Sequence, residues 1–165
     1  MIPDTIKQTA LKYVGKTEKP NNSGFNDAEF EKRMADTGWI KGSSWCAYFT
    51  ELVWTESYKD SPLLPEIKKL FSGSATATYK NFDIAKWEVG TVPKLGSLAV
   101  WRHGNGWQGH IGIVIEVSEL SFKTVEGNTN DKGGREGYIV AVKNRVTKAP
   151  YTANGLNLIG FVYPK

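Results

Sequence analysis

Three side chains in this sequence could together attack a carbonyl group: a cysteine, a histidine, and a polar residue that orients the histidine. Cys46 is the only cysteine, and it opens the run "CAYFTELVW" after Ser43, Ser44 and Trp45. That run predicts a helix, so the thiol falls within the first turn. There the free backbone N–H groups and the helix dipole favour an anion, which lowers the thiol pKa and makes a nucleophile. A cysteine buried in an amphipathic helix would carry the same pattern, so spacing alone leaves both readings open.

Of the two histidines, His110 opens "HIGIVIEV", a predicted strand, just after the Gly-rich turn "HGNGWQG". His103 closes the preceding strand across that turn and competes for the same role. Either could take the thiol proton and later return it to a leaving amine. A surface or capping role is the ordinary alternative. On the next strand, "VEGNTN" sets Glu126 and Asn128 two residues apart and hence on one face. A carboxylate or an amide can orient an imidazole and select its tautomer. Only a carboxylate would also raise the imidazole pKa. Glu126 is the expected direct partner and Asn128 its support, while "GN" also forms turns well.

The elements that must position these residues change character along the chain. Asp4 or Thr5 can cap a first helix with Ile6, Ala10, Leu11 and Val14 on one face, ended by Gly15. Asn26 and Glu29 form a capping-box pattern for a second, carrying Phe30 and Met34 to Gly38. A third is expected from Ser43 or Ser44 to Tyr58, with shorter helices in "SPLLPEIKKLF" and "SATATYKNFDIAKW". From residue 89 onward "GSLAVWRH", "HIGIVIEVS", "FKTVEGNT", "GYIVAVKNRV" and "NLIGFVYPK" read as five strands with turn-sized gaps. That predicts an antiparallel, meandering sheet. Helices first and strands second give an α+β class, and without a repeat or linker residues 1–165 read as one domain.

Composition limits the alternatives. At 165 residues the chain can bury a core, and six tryptophans are many for this length, each expected in that core more often than in a sugar or peptide groove. A net charge of +4 suits an anionic partner, yet no Lys/Arg cluster is dense enough for nucleic acid, and "EIKKL" and "KNRVTK" read as solvated faces. One cysteine and two histidines exclude an internal disulfide and argue against a structural metal site. The start "MIPDTIKQTALKYVG" does not read as a signal peptide, and no run has membrane-spanning length.

Taken in order, "SWCAYFTELVW", "PKLGSLAVWRHG", "GHIGIVIEV" and "VEGNTN" resemble the motifs of CHAP domains, the cysteine, histidine-dependent amidohydrolases/peptidases. The upstream "YVGKTEKPNNSG" and the final "LIGFVYPK" are similar to segments that flank them. The resemblance implies a papain-like (NlpC-type) fold with N-terminal helices on an antiparallel sheet of about five strands. It implies Cys46 as nucleophile and His110 as base, with Glu126 and Asn128 in the polar positions. Ser44 stands where the family has a proline and Ser97 where it has an aspartate, and both can still cap. "NNSGFND" is too poor in carboxylates for a calcium loop, so no cofactor is expected. The implied substrate is bacterial peptidoglycan, cut at an amide by a monomer acting as a phage lysin or secreted effector. A delivery apparatus or an immunity protein would then be its partner. A non-catalytic peptide- or glycan-binding domain and a cysteine peptidase acting on proteins are the alternatives.

Overall fold

A computed structural model describes residues 1–130 and 137–165. The described residues form an α+β arrangement of five α-helices followed by a six-stranded antiparallel sheet. The helices are α1 (Ile2–Lys12), α2 (Ala28–Asp36), α3 (Cys46–Ser57), α4 (Leu64–Leu70) and α5 (Ala75–Ile84). The strands are β1 (Val89–Gly90), β2 (Leu98–His103), β3 (Gly109–Val117), β4 (Ser121–Thr129), β5 (Ile139–Val146) and β6 (Leu156–Val162).

The helix starts differ in detail from expectation. α1 begins before Asp4, with Pro3 in its first turn, where a missing N–H costs nothing. α2 is capped by Asp27, whose carboxylate accepts the Phe30 N–H at 2.8 Å, one residue beyond the expected Asn26. Phe30 and Met34 then stack one turn apart into the core. α3 begins at Cys46, later than Ser43 or Ser44, and no side chain caps it. It is not amphipathic: Ala47, Phe49, Thr50, Leu52, Val53 and Trp54 bury it around its circumference. It packs against α1, α2, α4, α5, β3 and β4, which makes it the central helix.

The sheet order is β1-β6-β2-β3-β4-β5. Strands β2 to β5 run as the expected meander, but β6 returns to pair with the free edge of β2, and two-residue β1 extends it. Strand-length apolar runs say nothing about which edge a last strand will choose. Alternation divides the sheet into two faces. Leu98, Val100, Ile111, Ile113, Ile115 and Val125 join the helices in the main core. Ala99, Trp101, Val114, Phe122, Phe161 and Tyr163 form a smaller cluster on the other side. Five tryptophans are buried and the sixth, Trp107, is 79% exposed in the β2–β3 turn. No helix among the described residues is long and apolar enough to cross a membrane.

Candidate active site

Packing one residue upstream positions Cys46. Trp45 occupies the cap position of α3, fully buried and edge-on to Phe25 and Phe49. Its indole N–H donates to Glu18 Oε2 at 2.7 Å, which commits the group. The end of β4 presses on the same spot. A Cβ at Gly127 would fall 2.7 Å from both the Trp45 ring and Phe49, so only glycine lets this strand reach the helix start. Cys46 is therefore the first helical residue, 6% exposed, with its sulfur receiving the backbone N–H groups of Ala47 and Ile111.

His110 is the second residue of β3, opposite Trp101 on β2. Its Nε2 lies 2.7 Å from Glu126 Oε2. The carboxylate can only accept, so Nε2 carries a proton and Nδ1 is left for the Cys46 sulfur, to which the ring is hydrogen-bonded. A Cβ at Gly112 would come 2.6 Å from Glu126 Cγ, so this glycine makes the room in which the carboxylate lies.

Glu126 is fully buried and satisfied on both oxygens. Thr124 Oγ1 donates to Oε1 at 2.5 Å, and Arg145 bonds both oxygens, Nε to Oε1 at 2.8 Å and a terminal nitrogen to Oε2 at 2.6 Å. Burial pushes the Cys46 thiol up, but the hydrogen bond and charge of His110, with the two backbone N–H groups, outweigh it and leave the thiol below its ordinary value. Burial pulls His110 down, but the Glu126 charge and the Cys46 contact raise it to about 10. Burial would raise Glu126, yet His110 and Arg145 hold it well below the carboxylate range. These directions favour a thiolate, an imidazolium, a carboxylate and a guanidinium, set in alternating sign.

Asn128 goes elsewhere. An extra β4 residue opposes β5 between Glu126 and Thr129, and Asn128 has φ 51°. The expected shared face is broken by this bulge, and the Asn128 amide donates to Ser44 Oγ at 2.7 Å. Ser44 thus ties β4 to the approach of α3 and does not cap the helix. Ser97 does close a turn, donating to the Lys94 carbonyl at 2.5 Å. His103 is exposed, and its backbone N–H bonds Gln108 across the turn. Arg145 corrects the reading of "KNRVTK" as a solvated face. The only sequence signal for it was indirect: a buried carboxylate bonded to one histidine still needs further donors.

The family model for the CHAP domain matches residues 38–128. The chain belongs to the CHAP-domain family. The fold of a CHAP domain is papain-like, and the family is generally hydrolytic, acting as amidases or peptidases. The matched span of this CHAP domain holds Cys46, His110, Glu126 and Asn128, whereas Arg145 lies beyond it. No curated protein and no solved structure matches the chain.

Proposed function

We propose that the chain is a cysteine-dependent hydrolase of peptidoglycan that cuts an amide bond of the stem peptide, with residues 1–165 as one catalytic domain. The observation that carries this reading is the hydrogen-bonded line from Cys46 through His110 to Glu126 at the start of a helix. The Cys46 thiolate attacks the amide carbonyl carbon, forming a C–S bond and a tetrahedral oxyanion. The Cys46 backbone N–H, free at the first helical position, stabilises that charge. The oxyanion collapses, the C–N bond breaks, and the imidazolium of His110 gives its proton to the departing amine. The resulting thioester is then attacked by water, from which His110 takes a proton, and the carboxylic acid leaves with the thiolate restored.

Two features support a wall polymer. The net charge of +4 suits an anionic envelope. Trp107 stands 79% exposed three residues before His110, with its carbonyl held by Thr76 Oγ1 at 3.1 Å, and offers a flat face for a sugar or peptide. In the cell the enzyme would reach its substrate on release as a phage lysin or on delivery as a secreted effector.

Digestion of purified peptidoglycan tests the reading. New free amines should appear without new reducing sugar ends, and Cys46→Ala should release none. Amine release by a folded Cys46→Ala protein would remove the nucleophile assignment. A reactive Cys46 with no release from walls would move the substrate to proteins.

A further inference from the structure

We infer that Arg145 is a positioning residue of this site, holding Glu126 ionised and in place so that His110 stays an imidazolium beside the Cys46 thiolate. This rests on the reading of Cys46 and His110 as the reactive pair.

The argument begins with acceptor capacity. A carboxylate has about four lone-pair sites, and on Glu126 four contacts fill them: Thr124 and Arg145 on Oε1, His110 and Arg145 on Oε2. Arg145 supplies two of the four through a fork that matches the carboxylate plane, which a lysine cannot reproduce. Without it, a fully buried carboxylate would face one cation and two unfilled sites. Its own proton affinity would rise, and it would compete with His110 for the proton it is there to hold.

The guanidinium is itself fixed. It lies over the Trp101 ring at 4.9 Å, the arrangement in which an arginine gains from an indole face. Trp101 in turn stacks on Phe122 with an interplanar angle of 14° and meets the His110 ring at 5.9 Å. One indole therefore contacts both cations that bond Glu126. Register puts Arg145 opposite Phe122 and His110 opposite Trp101, so four neighbouring strands, β2 to β5, contribute to the arrangement.

Charge balance gives the sign of the effect. Removing a positive charge raises the pKa of nearby groups, and a displaced or protonated Glu126 would weaken the imidazolium and raise the thiol pKa further. The test is the pH dependence of iodoacetamide alkylation of Cys46 in wild type, Arg145→Gln and Arg145→Lys, with denaturation curves to verify folding. The rising limb of thiolate reactivity should move up by about one pH unit in Arg145→Gln. In Arg145→Lys it should move up by roughly a third of that, because a point charge reaches one oxygen where the fork reaches two. A merely structural role would lower stability and leave the limb in place. A folded variant whose limb coincides with wild type overturns the inference, and Arg145→Lys decides alone if Arg145→Gln does not fold. Alkylation needs no substrate, so the result stands apart from whether peptidoglycan is cut. A wild-type limb no lower than that of free cysteine would overturn the reactive pair and the inference with it.

Discussion

Two arginine–glutamate pairs with the same closest approach sit in very different surroundings. Arg33 donates to Glu56 Oε1 at 2.6 Å, with the Tyr13 hydroxyl donating to the same oxygen at 2.7 Å. Arg145 donates to Glu126 Oε2 at 2.6 Å, with His110 at 2.7 Å from the same atom. The Arg33 and Glu56 side chains are 44% and 27% exposed, those of Arg145 and Glu126 24% and 0%. Water screens the first pair and competes for its bonds, so it adds little. In the second the carboxylate is fully desolvated, and it needs its partners because nothing else can solvate it. Distance alone does not make an ion pair matter to chemistry. Burial does, at the cost of making every member indispensable.

The sharpest way to break this comparison is at Glu126. Glu126→Ala leaves a guanidinium and an imidazolium in a site built for an anion, and the expected loss is about 3 to 5 kcal/mol of stability, with hydrolysis abolished. Glu126→Gln keeps the shape and removes the charge, so the alkaline limb of the pH–rate profile should fall, because Glu126 holds His110 up. Asn128→Ala should cut the rate several-fold with both limbs in place. If Asn128→Ala moves the limbs and Glu126→Gln does not, the two roles must be exchanged.

A smaller effect should appear as linkage. The folded pKa of His110 is raised, so its contribution to stability is complete below the unfolded imidazole value of about 6.5 and is lost as pH climbs through the folded value. The thiol titrates in the opposing sense, because its folded pKa is lowered. Cys46→Ala removes that opposing titration, while Glu51, which burial pushes up to about 7, contributes equally in every variant. Unfolding free energies of Cys46→Ala at pH 6 and pH 9 should differ by roughly 1 to 3 kcal/mol, the acid sample being the more stable. Adding Glu126→Gln should flatten the difference, and a flat profile in Cys46→Ala alone would mean that Glu126 does not hold the imidazolium.

The smallest effect belongs to the exposed pair. Arg33→Gln should cost no more than about 1 kcal/mol, less in high salt, with hydrolysis unchanged. A loss as large as that at Glu126 would erase the contrast.

What could be read in advance follows from the range of the interactions. Cys46 at a helix start, His110 at a strand mouth and Glu126 on the next strand were legible because local periodicity placed each on its element. The α+β class followed from the same texture. The site of α3 initiation was not legible, because it depends on Trp45 meeting Phe25, Phe49 and Glu18, all tertiary contacts. Asn128 was misplaced on the Glu126 face because a bulge is a property of two strands, visible only once β5 is laid beside β4. The return of β6 to β2 and the turn of Arg145 toward Glu126 share that cause: both are non-local pairings that residue type alone does not encode.

The charge arrangement around Cys46 also exposes it to oxidation. A standing thiolate reacts with peroxide to a sulfenic acid far more readily than a protonated thiol does. Redox enzymes recover from that state through a second, resolving cysteine, and this chain has only one. Without an external thiol to cap and reduce it, oxidation at Cys46 would run on to the sulfinic and sulfonic acids, which no small reductant reverses. The same buried charges that favour the Cys46 thiolate would thus limit its lifetime in an oxidising environment.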